Sequence, residues 1–188
     1  MPPKVRITKD DIINTSIQLV RESGPQSLNA RSIASALNCS TQPIFSNFPT
    51  MEELQSQVID AAYETYLGFL SKEAQSGKYP QYKAFGMAYV RFAKEEKELF
   101  KLLFMRDRKG EATKPTPDFK ASIEIIMNAN GVTTEVAELI HLEMWACVHG
   151  IATMHATSFL SLDWELISSI LTDIYQGLSA KHISEERK

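Results

Sequence analysis

The stretch from Asn29 to Phe48 constrains the fold of this 188-residue chain more than any other segment. Apolar residues recur there with helical spacing in two short runs, and the residues between the runs are typical of a turn. Asn29 is a suitable N-cap for the first run, and Ser40 can cap the second. Pro43 fits only the first turn of that second helix. The pattern therefore predicts a helix-turn-helix. Its inward-facing positions are Ile33, Ala34 and Leu37 in the first helix and Ile44 and Phe48 in the second.

The second helix of this pattern has a polar face that is expected to point outward. In a helix-turn-helix, the outward side chains near the start of that helix reach base edges in the major groove. Glutamine pairs bidentately with adenine, and threonine contacts a thymine methyl group or a phosphate. A merely solvated polar face is the alternative interpretation. The predicted DNA-contacting residues are Arg31, Ser40, Thr41, Gln42, Pro43, Phe45, Ser46 and Asn47.

Residues 7–54 resemble the DNA-binding domain of the TetR family of transcriptional regulators. The resemblance rests on Glu22-Ser23-Gly24, on Ile33-Ala34, and on Asn47-Phe48-Pro49-Thr50 with Glu52 and Leu54. Further downstream, Trp145, His149 and Gly150 are similar to a motif in the C-terminal domain of one TetR branch. The resemblance implies an all-α, TetR-like fold. Residues 1–50 would form a three-helix DNA-binding domain, and residues 51–188 would form a six-helix domain for ligand binding and dimerisation.

Two positions depart from the family pattern. The family usually has a tyrosine where this chain has Phe45 and a lysine where it has Met51. That tyrosine and that lysine are expected to contact phosphate. Phe45 lacks the hydroxyl and Met51 lacks the charge. Lys4, Arg6 and Lys9 could compensate as an arm beside the duplex, and a disordered N-terminus is the alternative.

Composition excludes several other classes of protein. Hydrophobic residues make up 44% and charged residues 23% of the chain, as in an ordinary globular protein. No apolar run approaches the roughly 20 residues that span a bilayer, and the N-terminus lacks the apolar core of a secretory signal. Cys39 and Cys147 match neither a disulfide framework nor a zinc motif. We therefore expect a cytoplasmic protein without a membrane segment or a metal site.

Charge is distributed unevenly along the chain. The first 50 residues carry five basic and three acidic side chains, a net charge of +2, and the remainder carries −5 to give the −3 of the whole chain. The sign of this asymmetry suits an N-terminal nucleic-acid binder, although the difference is small.

Helical periodicity continues through the rest of the chain, and no segment alternates with the period of a strand. Gly24-Pro25 ends a first helix that starts at Thr8, and a capping box at Thr50 opens a long helix. Residues 107–117 are charged and contain glycine and proline, which predicts a flexible loop. The tail from residue 182 is expected to fray. With the TetR resemblance as a guide to some boundaries, nine helices are predicted, which is the number that the resemblance implies. They span 8–23, the two helices of the helix-turn-helix, 50–76, 81–94, 95–106, 117–130, 133–158 and 163–181.

The C-terminal part is rich in aromatic and methionine side chains. Such stripes usually form plain core, but methionine packing is deformable and suits a pocket for apolar guests. Trp145 and His149 are spaced i, i+4, with His141 on the same face. Two histidines are too few for a metal site, and a buried, hydrogen-bonded His149 is the alternative. The predicted effector-pocket residues are Tyr66, Tyr89, Phe92, Phe104, Met127, Trp145 and His149.

The last two long helices are more apolar than helices on a monomer surface need to be. In TetR-like proteins the corresponding helices form a four-helix dimer interface, and the resemblance implies the same here. An intramolecular core is the alternative explanation of both stripes. The predicted interface residues are Met144, Val148, Ile151, Ile167, Ile170, Leu171, Ile174 and Leu178.

The resemblance implies a regulator rather than an enzyme. The sequence has no GxSxG motif, phosphate-binding loop or dense carboxylate–histidine cluster, so neither a catalytic residue nor a cofactor is predicted. We expect a homodimeric repressor that binds a palindromic operator in double-stranded DNA and is released by a small, largely apolar effector. The alternatives are a small helical enzyme or, with more support from Phe45 and Met51, a helical ligand- or protein-binding module with weak or lost DNA binding.

Overall fold

The computed structural model describes residues 7–107 and 117–186, and these residues form nine α-helices and no strand. The predicted all-α fold is confirmed. The loop predicted at 107–117 lies almost entirely outside the described residues. Over the described part of the chain, no helix is both long and apolar enough to span a bilayer. The helices are α1 Lys9–Ser23, α2 Ala30–Ala36, α3 Gln42–Asn47, α4 Met51–Gln75, α5 Gln81–Glu95, α6 Lys97–Phe104, α7 Pro117–Asn130, α8 Thr134–Ala156 and α9 Trp164–Glu186.

The chain divides into two compact units. The first holds the described residues up to Leu67 together with Glu96–Arg106. The second holds Gly68–Glu95 together with the described residues from Asp107 onward. Helix α4 therefore begins in the first unit and ends in the second, and α6 returns the chain to the first unit. The buried apolar side chains of the first unit include Ile12, Val20, Ile33, Ile44, Phe48, Leu54, Val58, Leu99 and Phe100.

Side-chain hydrogen bonds define where α1 begins and connect its other end to α6. Thr8 and Asp11 form a capping box, in which each side chain accepts a hydrogen bond from the other residue's backbone N–H. Near the other end of α1, the Arg21 guanidinium donates two hydrogen bonds of 2.9 and 2.8 Å to the carboxylate of Glu96. Glu96 immediately precedes α6, which packs against α1. This fork-shaped pair fixes the start of α6 to α1 within the first unit.

In the helix-turn-helix, the N-cap of α2 is the expected residue, and the N-cap of α3 is a different one. The Asn29 side chain accepts a hydrogen bond from the N–H of Ser32, which confirms Asn29 as the N-cap of α2. Between α2 and α3, Asn38 adopts a left-handed conformation with φ 51°, and the N–H of Cys39 returns to the Ala34 carbonyl at 2.9 Å. Ser40 was expected to cap α3, but the N-cap is Thr41, whose side chain makes no capping bond.

In the second unit, α8 packs against α5, α7 and α9. The start of α9 is held by the Trp164 ring, which stacks on His155 of α8 with the planes 5° apart. The Arg91 guanidinium and the Lys94 ammonium lie 4.6 and 5.0 Å from the centre of the same ring. Cation–π attraction thus joins α5 to α9, while stacking joins α9 to α8.

The expectation that the chain frays from residue 182 is wrong, because α9 continues to Glu186. His182 is buried, and its Nε2 lies 2.7 Å from a carboxylate oxygen of Glu143 on α8. The Glu186 carboxylate accepts a hydrogen bond of 2.9 Å from the N–H of Thr133, just before α8. These long-range contacts hold the last turns of α9 and could not be read from the local sequence.

The left-handed conformation of Asn38 leads to a stability prediction. A β-branched side chain tolerates this region poorly, whereas glycine adopts it freely. We expect Asn38→Val to lower the free energy of unfolding by about 1–2 kcal/mol, measured by denaturant titration. Asn38→Gly is the control and should unfold at or near the wild-type midpoint. Equal destabilisation by both substitutions would show that the Asn38 side chain, and not its backbone conformation, stabilises the turn.

Candidate functional sites

The outward face of α3 is the candidate DNA interface. Ile44 and Phe48 are almost completely buried, at 0% and 1% exposure, so the opposite face of this six-residue helix points to solvent. Among the described residues, no hydrogen bond engages the Gln42 side-chain amide, which leaves both its donor and its acceptor available. Of the residues predicted to contact DNA, Arg31, Ser40, Gln42, Phe45 and Ser46 are exposed, and Thr41, Pro43 and Asn47 are half-buried.

Two of these polar side chains have their donors engaged inside the protein. The Ser46 hydroxyl donates to the Gln42 carbonyl at 2.9 Å. The Asn47 amide donates to the Pro43 carbonyl at 2.8 Å and to the Ile7 carbonyl at 3.3 Å. Asn47 therefore ties α3 to the segment before α1. Within α3 and its N-cap, the hydrogen-bond donors left for a base edge are on Gln42 and Thr41.

Of the three basic residues predicted to form an N-terminal arm, the structure describes only Lys9. Lys4 and Arg6 lie outside the described residues. Lys9 is exposed, with its ammonium 5.1 Å from the centre of the Phe48 ring and 4.0 Å from a carboxylate oxygen of Glu53. Because the Lys9 and Glu53 side chains are both exposed, their ion pair is weak, and Lys9 can turn toward a phosphate. Phe45 is 46% exposed, and Met51 is half-buried.

The seven predicted effector residues fall into separate groups. Tyr66 and Phe104 belong to the first unit, where their rings meet edge to face with centroids 5.3 Å apart. The others belong to the second unit. Phe92 is buried there against the edge of Phe69, and the Met127 sulfur accepts a hydrogen bond from the Thr134 hydroxyl at 3.5 Å.

Tyr89, His149 and Trp145 form a contiguous cluster in the second unit. The Tyr89 hydroxyl lies 2.9 Å from Nδ1 of His149, and the Trp145 indole stacks on the imidazole with centroids 4.8 Å apart. Burial lowers the pKa of His149 and raises that of Tyr89. Both groups are thus held neutral. Trp145 remains 44% exposed, so the cluster has one side open to solvent.

A second pair of the same kind lies along α5 and α8, and sequence analysis missed its tyrosine. The Tyr82 hydroxyl lies 3.0 Å from Nδ1 of His141. Burial lowers the pKa of His141, opposed by the nearby Asp118 carboxylate. Tyr82 and Tyr89 are seven residues apart, and His141 and His149 are eight residues apart. This similar spacing is the sequence signal from which the second pair could have been predicted. Together the pairs form a polar seam between α5 and α8.

Most of the predicted dimer-interface residues are buried within the protomer. Met144, Val148, Ile151, Ile167 and Leu171 are buried in the second unit, whereas Ile170, Ile174 and Leu178 are half-buried. The five buried side chains are therefore covered within the protomer in this conformation. The exposed large apolar side chains of α8, α9 and the segment between them are Leu139, Leu142, Trp145, Phe159, Leu160 and Leu166.

Comparison with known proteins identifies the fold. A family model described as the tetracyclin repressor-like C-terminal domain matches residues 82–171, which include the Trp145, His149 and Gly150 motif. Residues 82–171 are therefore similar to the C-terminal domain of the TetR family, and the nine helices of the described residues have the TetR-like fold. No curated protein matches its sequence.

Solved structures support the TetR fold over nearly the whole chain. A putative TetR-family transcriptional regulator from Vibrio parahaemolyticus is 16% identical with a TM-score of 0.62, and the match covers 90% of this chain and 97% of the other. A TetR-family member from Streptomyces coelicolor A3 is 16% identical with a TM-score of 0.65, covering 88% and 96%. A TetR variant from Acinetobacter baumannii AYE in complex with minocycline is 15% identical with a TM-score of 0.54, covering 96% and 97%.

The lowered histidine pKa values make stability depend on pH. Below pH 6.5, the ordinary pKa, unfolded chains take up protons that the folded protein does not, so the free energy of unfolding falls as pH falls. His149→Gln keeps an acceptor for the Tyr89 hydroxyl but removes the titrating group. We expect the loss of stability between about pH 7.5 and 5.5 to be smaller in this variant, measured by denaturant unfolding. An unchanged loss would contradict a contribution from His149.

Proposed function

We propose that this protein is a sequence-specific DNA-binding regulator of the TetR family, most simply a repressor. The observation that carries the proposal is the outward face of α3, where Gln42 and Thr41 stand opposite a buried apolar face. A helix presented in this way fits the major groove, where amide side chains pair with adenine. The TetR-family regulator fold supports the same role.

Dimerisation through α8 and α9 supplies the symmetry that a palindromic operator requires. Leu139 and Leu142 on α8 and Leu166 on α9 are exposed in the protomer, and Ile170 and Ile174 continue the α9 face at i, i+4 spacing. We propose that these residues, rather than the buried residues at neighbouring positions, meet the partner. Two copies of the helix-turn-helix would then reach half-sites about 34–36 Å apart.

We further propose that a small, largely apolar effector binds in the second unit and releases the DNA. The minocycline complex of the Acinetobacter relative supports a small-molecule ligand. The Tyr89, His149 and Trp145 cluster offers an aromatic surface with a neutral polar group, which suits such a guest. Regulation then follows from linkage, since the effector acts only to the extent that it favours the form that does not bind the operator.

The path of the chain provides a physical route for this coupling. The chain passes between the units within α4, at the α5–α6 junction and after α6. A shift in α4 or α5 is therefore transmitted covalently to the first unit, where the Arg21–Glu96 pair fixes the start of α6 to α1. On this proposal the protein works by equilibrium binding in the cytoplasm and not by catalysis.

The proposal predicts a specific effect of Gln42 on DNA recognition. We expect Gln42→Ala to weaken operator binding by about 1–3 kcal/mol per half-site and to leave affinity for random DNA nearly unchanged. The measurement is a mobility shift with the full-length protein, repeated over a salt series. Gln57→Ala removes another exposed glutamine, on α4, and is the matched control. Equal losses on operator and random DNA would show that Gln42 reads no base, and a wild type without sequence preference would favour the ligand- or protein-binding module.

The proposed interface is tested by charging its exposed residues. Leu142, at 59% exposure, and Leu166 are solvent-facing in the protomer, so Leu142→Glu with Leu166→Glu should leave the monomer helical by circular dichroism. In a dimer the same carboxylates would be buried without partners at a cost of several kcal/mol. We expect the double variant to sediment as a monomer and to lose operator binding, whereas the control Gln176→Glu on α9 should remain dimeric. A double variant that still dimerises and binds the operator would place the interface elsewhere.

A further inference from the structure

Phe45 presents an aromatic ring to solvent beside the proposed base-reading glutamine. It is 46% exposed, although its immediate neighbour Ile44 is fully buried. Phe45 follows Gln42 by three residues, so the two side chains lie on adjacent positions of one face of α3. Folding therefore leaves a large apolar group on the surface that is proposed to enter the major groove.

The polar side chains that follow Phe45 contribute less to recognition than their sequence suggests. The Ser46 hydroxyl donates to the Gln42 carbonyl, and the Asn47 amide donates to two carbonyls of the protein. Donors satisfied in this way would have to break internal hydrogen bonds to reach a base. On α3 and its N-cap, the side chains that remain for direct readout are those of Thr41, Gln42 and Phe45.

The chemistry of the ring determines what it can recognise. A phenyl group has no hydrogen-bonding atom, so Phe45 cannot bond to a phosphate or to the polar edge of a base. The major groove presents one apolar group, the C5-methyl of thymine. Packing against that methyl removes apolar surface of both partners from water.

We propose that Phe45 is a specificity-determining residue that selects a thymine in each operator half-site by packing against its methyl group. This inference rests on the proposed function, since it requires α3 to enter the major groove. Side chains three positions apart on a helix are about 5–6 Å apart, and stacked base pairs are about 3.4 Å apart. The thymine therefore lies within about two base pairs of the pair that Gln42 reads.

The experiment begins by selecting binding sites from random duplex DNA with the full-length protein. Each thymine of the selected site is then replaced singly by deoxyuridine, which removes the methyl group and leaves the hydrogen-bonding pattern unchanged. We expect one position in each half-site to lose affinity about fourfold, and about sixteenfold when both half-sites are changed. This follows from about 0.8 kcal/mol for a buried group of methyl size.

Variants of the protein assign that loss to the ring. In Phe45→Ala the same deoxyuridine replacement should have no effect, because the methyl group has lost its partner. In Gln42→Ala the deoxyuridine loss should persist, because that variant changes a different contact. Phe45 is exposed, so Phe45→Ala should keep the wild-type thermal midpoint, which separates a recognition defect from a folding defect.

The outcomes distinguish the inference from the function on which it rests. Selection of a clear sequence with no sensitivity to deoxyuridine, or with equal sensitivity in wild type and Phe45→Ala, overturns the thymine contact and leaves the regulator proposal standing. Loss of affinity by Phe45→Ala for every sequence alike would place the ring against deoxyribose and also overturn the contact. Failure to select any sequence overturns both proposals.

Discussion

The burial of Ile44 and Phe48 is the constraint on which the helix-turn-helix depends. A six-residue helix does not persist in water by itself, because helix nucleation costs more than so few backbone hydrogen bonds return. Helix α3 exists because these two side chains are covered completely and because the α2–α3 turn closes onto the Ala34 carbonyl. The Asn47 bonds to Ile7 and Pro43 add a second anchor. Only with that support can the outward side chains hold the orientation that the proposed DNA recognition requires.

The helix-turn-helix could be predicted from the sequence because its determinants are local. Two i, i+4 apolar pairs, an N-cap and a proline in the first turn specify the helices within twenty residues, and Asn29, Ile33 and Ile44 have the expected places. The cap of α3 was assigned one residue too early because both Ser40 and Thr41 are suitable N-cap types. The end of α9 was misjudged for a different reason, since His182 is held by Glu143, which is 39 residues away.

The second unit was less predictable because a helix that is apolar on several sides has more than one candidate buried face. Periodicity marked Met144, Val148 and Ile151 as one stripe but could not say whether a partner or the protomer covers it. Burial assigns that stripe to the protomer and leaves the neighbouring face of α8 open. Likewise, the tyrosine–histidine pairs join residues about 60 positions apart. The spacing of residues along one helix does not indicate which side chains of another helix they contact.

In α3, different residues stabilise the fold and face solvent, and this separation affects how such proteins diversify. Its inward residues hold the fold, whereas the outward positions of Gln42 and Phe45 carry little of the folding free energy. Since most proteins lie only slightly above the stability they need, substitutions that leave the core intact are the ones that selection most easily tolerates. If α3 reads DNA as proposed, a duplicated copy of this chain would therefore change its target sequence one residue at a time while keeping its architecture intact.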